Sequence, residues 1–183
     1  YSKFRRTKGV LDTVGTIAYE LRAEQEQAVS QTFDYFMSHE KGEFLWNAKP
    51  RFGKTLATYD LCKRLQSTKG DYACNILIVT NRPAIANSWY EDFVKFIGTE
   101  SGFRFVSEVS ALKGKPFVMS REEYTDSLTK ELADCIEFVS LQDLKGSLYF
   151  GGQHDKLKEL VNMQWELLVI DEAHEGVDTS KTD

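Results

Sequence analysis

The segment Trp46-Asn47-Ala48-Lys49-Pro50-Arg51-Phe52-Gly53-Lys54-Thr55 sets a glycine, a lysine and a hydroxyl residue in succession where an apolar run gives way to a helical pattern. This spacing suits phosphate oxygens. Backbone N–H groups of residues 49–55, at a helix amino terminus, would meet an anion with a favourable dipole. Gly53 permits a close approach that a Cβ would obstruct. The Lys54 ammonium would reach the β- and γ-phosphates, and the Thr55 hydroxyl would ligate Mg²⁺. Ala48, Lys49, Pro50, Arg51 and Phe52 complete the cradle, and Lys49 and Arg51 raise its positive potential.

Much further on, Leu167-Leu168-Val169-Ile170-Asp171-Glu172-Ala173-His174 ends an apolar strand pattern in two carboxylates. Asp171 would hold the metal through a water, Glu172 would polarise an attacking water, and His174 would bridge the site to neighbouring motifs. By chance the loop pattern arises in about one chain in a hundred of this length, and Asp-Glu-Ala-His in about one in a thousand. A plain strand–helix turn and a helix-capping acidic strand end are therefore poorer readings than the two halves of one Mg-nucleotide site. Gln25 precedes the loop, and a Gln amide can pair with both N6 and N7 of adenine, which makes ATP the expected nucleotide. His39 and His154 lie in polar surroundings and read as surface residues.

The elements that must position these groups follow from the pattern. A length of 183 residues suits one domain, and 42% hydrophobic with 28% charged residues is ordinary globular composition. A net charge of −5 means that a nucleic-acid partner would need a local basic face. No apolar run approaches the ~20 residues that span a bilayer. Cys62, Cys74 and Cys135 lack metal-ligand spacing and read as free thiols in a reducing cytoplasm. Residues 1–20 carry no pattern beyond Lys3, Arg5, Arg6 and Lys8 and are set apart as an extension. The chain opens on Tyr1 and closes in a polar stretch, as a piece of a longer protein would.

A helix is expected from Ala23 to Ser38, with Ala28, Val29, Phe33, Phe36 and Met37 on its apolar face. Glu43–Asn47 reads as a buried strand feeding the loop, and a helix from Lys54 carries Leu56, Tyr59, Leu61, Cys62 and Leu65. Further strands are expected over Asn75–Thr80, Phe103–Val106, Ile136–Ser140 and Glu166–Ile170. Pro83 suits a first helical turn, Trp89, Phe93 and Phe96 recur at helical spacing, and Ser120-x-x-Glu123 is a capping box. The alternation predicts an α/β fold with a mainly parallel sheet wrapped by helices. The loop, Thr80–Pro83, Ser140–Gln142 and Asp171–His174 would then all gather at the carboxyl edge, where ligands bind in such sheets.

With these residues in place, the chain from Leu21 to Asp183 resembles the first RecA-like domain of superfamily 2 helicases and translocases of the DEAH type. It looks most like the helicase part of type III restriction enzyme subunits. The resemblance implies a three-layer P-loop NTPase domain over 21–183, incomplete at its carboxyl end. Leu21-Arg22-x-x-Gln25 stands for the adenine-recognition element, Ala48–Thr55 for motif I and Asp171–His174 for motif II. Asn81 and Arg82 in the motif Ia position, and Ser140 and Gln142 in a Ser-x-Gln element, would touch nucleic acid, double-stranded DNA above all. Ala48 replaces the commoner first glycine, and Phe52 is bulky where these proteins carry a small residue.

The implied function is the ATP-binding domain of an ATP-dependent DNA helicase or translocase of a restriction–modification enzyme, with ATP and Mg²⁺ as cofactors. Lys54, Asp171, Glu172 and His174 are its catalytic set, and hydrolysis by this piece alone is expected to be weak. A second RecA-like domain downstream would supply arginine fingers, and a methyltransferase or specificity subunit would be a partner. The alternatives are an ATP-dependent regulatory switch, an RNA helicase domain and a small-molecule P-loop kinase. The motif Ia-like element after the loop argues against the kinase.

Overall fold

The computed structural model describes residues 16–127, 133–144, 160 and 162–171. They belong to two compact units, Tyr1–Gly70 with Glu91–Ser101, and Asp71–Tyr90 with Gly102–Asp183.

In the first unit, α1 (Ala23–Ser38) packs on α2 (Lys54–Thr68). Both helices start where their local signals place them. At α1 the Gln25 Oε1 accepts the Arg22 N–H at 2.9 Å, satisfying an amino-terminal donor. Of the expected apolar stripe α1 buries Val29 fully and Ala28, Phe33 and Phe36 partly, and the polar Gln25 and Thr32 are buried beside them. Met37 is half exposed. The seam between the helices is partly polar. Arg64 of α2 reaches Glu26 at 2.8 Å and Ser30 at 3.2 Å while gripping Asp60 at 2.9 Å.

Glu43–Asn47 is not a buried strand. It is irregular, and Leu45 is 82% exposed. The described part of its unit contains no strand for it to pair with, and isolated extended backbone gains no ladder bonds. Aromatic contacts hold it to α1 instead. Phe44 meets Tyr35 edge-on, and Trp46 Nε1 donates to Thr32 Oγ1 at 2.6 Å. Residues 16–20 are tied in as well, by Ile17 N–H to Lys95 O at 2.8 Å and Tyr19 to Asp60 at 2.7 Å.

The second unit is built on five parallel strands, β1 (Asn75–Thr80), β2 (Phe103–Ser107), β3 (Val118–Met119), β4 (Asp134–Ser140) and β5 (Leu167–Asp171), in the order β3-β2-β4-β1-β5. Central β4 is buried at every position, as a parallel strand covered on both faces must be. After β1, Pro83 opens a 3₁₀ turn over Pro83–Ile85 that leads into α3 (Ala86–Asp92), where its missing N–H does no harm. α3 is followed by a π-helical turn over Phe93–Ile97, which belongs to the first unit.

One sheet face carries Leu77, Val79, Cys135 and Val139. α4 (Arg121–Ser127), α5 (Leu141–Leu144), Leu160 and Trp165 supply the residues packed with them. The Ser120–Glu123 capping box forms in both directions, at 3.0 and 3.1 Å. Glu137 is buried on the same face and is paired with the Arg121 guanidinium, without which a buried carboxylate would be costly. All three cysteines are free and buried, and burial pushes the Cys135 thiol up to about 12. No helix of the described residues is long and apolar enough to cross a membrane.

Candidate functional site

In the first unit, the candidate phosphate loop ends on Gly53, which caps α2 in the left-handed region at φ 79°. As a glycine it supplies no side-chain cap to that helix end. The first-turn N–H groups of a helix have no intrahelical acceptor, so an uncapped glycine end is a natural seat for an anion. Arg51 also takes a positive φ of 67°, and the Phe52 N–H closes a turn on Lys49 O at 3.1 Å. The bulky Phe52 is accommodated edge-on against Trp46, with ring centroids 6.1 Å apart. Lys54 and Thr55 occupy the first turn of α2, both half-buried, while Lys49, Pro50 and Arg51 are exposed.

Two residues upstream hold the carbonyl side of this loop. Arg22 donates to Arg51 O at 2.9 Å and to Phe52 O. Gln25, only 4% exposed, donates its Nε2 to Phe52 O at 2.9 Å and Gly53 O at 3.3 Å. Its oxygen is the acceptor for Arg22 N–H, so the amide expected to read adenine is engaged at both ends by its own unit. A Cβ on Gly53 would meet Gln25 Nε2 and displace that amide, and the left-handed dihedral itself favours glycine.

In the second unit, Ser140, Thr80 and Asp171 form one row across β4, β1 and β5, because Thr80 is in register with both of the others. All three are buried at the carboxyl end of the sheet. Asp171 is 7% exposed, and its Oδ2 accepts the Trp89 indole N–H at 3.2 Å. Beyond the row, Arg82 N–H donates to Thr80 Oγ1 at 3.3 Å, Arg82 is exposed, Asn81 is half-buried and Gln142 is exposed on α5. Of the expected nucleic-acid residues, Ser140 is thus enclosed in the sheet while Arg82 and Gln142 face solvent. Glu172 and His174 lie outside the described residues.

Among the described residues there is no group of three His, Cys, Asp or Glu that could cage a metal. A single buried carboxylate oxygen donor is what Mg²⁺ needs when phosphates and waters complete its octahedron. The residues present therefore fit Mg²⁺ carried in with a nucleotide. Sequence reasoning passed over three contributors. Thr80 is placed by the sequence at the carboxyl edge, at the head of the Thr80–Pro83 segment, but with no role of its own. Arg22 stands in the sequence only within the Gln25 motif, and Trp89 only as one of three aromatics at helical spacing.

A family model for the type III restriction enzyme res subunit matches residues 18–182. The chain is also 26% identical over 170 residues to a Mycoplasma pneumoniae protein named as the C-terminus of a type II restriction enzyme and methyltransferase. That match takes in 90% of this chain and 21% of the relative. Among solved structures, a nuclease-deletion mutant of the Type ISP restriction–modification enzyme LlaGI, in complex with a DNA substrate mimic, superposes with a TM-score of 0.62 at 13% identity. It covers 85% of this chain and 15% of that one. The likeness establishes the fold as the expected α/β, RecA-like architecture.

Proposed function

Because the chain belongs to the family of the type III restriction enzyme res subunit, whose amino-terminal region is a superfamily 2 helicase domain, we propose that it is the ATP-binding domain of a DNA translocase in a restriction–modification enzyme. The observation that carries the reading is the uncapped, glycine-led amino terminus of α2, with a lysine and a threonine in its first turn. The chain spans about a fifth of the Mycoplasma relative's length and less of the Type ISP enzyme's.

In this reading the α2 N–H groups and the Lys54 ammonium neutralise the β- and γ-phosphates. The Thr55 hydroxyl and the Asp171 carboxylate hold the metal, and Glu172 orients the attacking water. His174 passes the state of that site to the neighbouring motifs. Bound Mg²⁺ supplies charge neutralisation at the phosphoryl group being transferred. ATP hydrolysis is the reaction, and Gln25 selects the adenine. To do so, Gln25 must exchange its bonds to Phe52 O and Gly53 O for bonds to the base, so base recognition would loosen the carbonyl side of the loop.

DNA is the proposed track, by way of Asn81, Arg82 and Gln142, with Ser140 supporting them from within the sheet. A DNA substrate mimic occupies the related Type ISP enzyme, and a methyltransferase is part of the name of the Mycoplasma relative. A second RecA-like domain and a methyltransferase or specificity subunit are the proposed partners, in the cytoplasm.

Calorimetry with ATP and GTP tests the site. ATP is expected to bind more tightly, and Gln25→Ala should narrow the preference by about 1–3 kcal/mol, the cost of leaving a hydrogen-bonding group of the ligand unpaired. Equal affinity for the two nucleotides in the unmutated protein would remove Gln25 from the site.

A further inference from the structure

The three tryptophans all donate their indole N–H, but to unlike acceptors. Trp46 uses the Thr32 hydroxyl, Trp165 the Leu160 carbonyl at 2.8 Å, and Trp89 the Oδ2 of Asp171. An indole has one donor and no acceptor, and a backbone carbonyl satisfies it fully. Burial alone therefore does not require Trp89 to meet a carboxylate. Trp89 is 2% exposed, and its partner stands 82 positions away at the end of another element. The bond ties Trp89 of α3 to the end of β5, and both residues belong to the second unit.

We propose that Trp89 is a positioning residue for the metal, its indole N–H fixing the Asp171 carboxylate in the orientation from which that group engages Mg²⁺. The inference rests on the reading of Asp171 as the metal-side carboxylate. A neutral donor is well chosen for this work. It fixes one oxygen of the carboxylate without the competing positive charge that a lysine or arginine would bring to a cation site. The ring is also rigid and packed, so the orientation is held by the core and not by solvent. The 3₁₀ turn that leads into the same helix begins just after Asn81 and Arg82, which places the proposed DNA contacts and the carboxylate's anchor on one continuous stretch of chain.

The test is made in the full-length protein, with binding of a fluorescent ATP analogue followed as Mg²⁺ is titrated. Trp89→Phe keeps the ring and removes the donor. It should raise the Mg²⁺ concentration at half-saturation by about tenfold, the usual scale for losing a partner that orients a metal ligand. Binding without metal should stay unchanged, and Trp165→Phe should leave the midpoint at the wild-type value. A folded Trp89→Phe protein with the wild-type midpoint overturns the inference. If Asp171→Asn raises the midpoint while Trp89→Phe does not, only the role of Trp89 falls. If neither does, the metal assignment of Asp171 falls and takes this role with it. Should Trp89→Phe fail to fold, 5-fluorotryptophan labelling decides. The Trp89 resonance should move on adding Mg²⁺ with the analogue and stay still in Asp171→Asn, and a resonance indifferent to Mg²⁺ overturns the proposal.

Discussion

Lys54→Ala is expected to weaken Mg-ATP binding by about a hundredfold while the protein still folds. The ammonium is the one side-chain cation in the first turn of α2, at the end where Gly53 brings no capping side chain of its own. Hydrogen bonds to charged groups contribute about 1.5–3 kcal/mol each, and tenfold in affinity corresponds to about 1.4 kcal/mol. One or two such bonds lost to the phosphates gives the expected factor. Folding should survive because alanine favours a helix and the packed side chains of α2 are Ala57, Thr58, Tyr59, Leu61, Cys62 and Leu65. Calorimetry that finds wild-type affinity in a folded Lys54→Ala protein would contradict the assignment of the loop.

A larger effect is expected on turnover. Residues 1–183 alone should hydrolyse ATP very slowly compared with the full-length protein. Phosphoryl transfer relies on positive charge at the departing phosphate, and an arginine supplied from another domain raises the rate by about 10³–10⁵. In the proposed architecture that arginine belongs to a second RecA-like domain. A steady-state phosphate-release assay on both proteins compares them directly. Comparable rates would show that the site is catalytically self-sufficient and would favour a nucleotide switch over a motor.

How legible these features were in the sequence depends on the range of the signals. α1, α2, β1 and the start of α4 fall where the sequence places them, because caps, glycine and proline act within a few residues. The same is true of the row at the carboxyl edge, since each member ends its own strand pattern. Glu43–Asn47 misled because an apolar run reports burial propensity and says nothing about whether a neighbouring strand is there to pair with it. β3, only two residues long, is too short to show any period. Gln25 and Thr32 entered the buried face of α1 through hydrogen bonds to distant partners, Phe52 O and the Trp46 indole, which hydropathy does not register. Trp89 shows in the sequence only its helical spacing with Phe93 and Phe96, for the same reason. It is core, and its one polar atom finds Asp171 only after the chain has folded.

Coupling of nucleotide turnover to DNA is what would make this site part of a motor. Its most direct test is the ATPase rate of the full-length protein with and without double-stranded DNA, over a range of salt, with Lys54→Ala and Asp171→Asn as controls. DNA of any sequence should stimulate turnover, and the stimulation should fade as salt rises, because backbone contacts carry charge but no sequence information. Both substitutions should abolish the stimulated rate. Turnover that ignores every nucleic acid supplied, or that survives Lys54→Ala, would contradict the coupling.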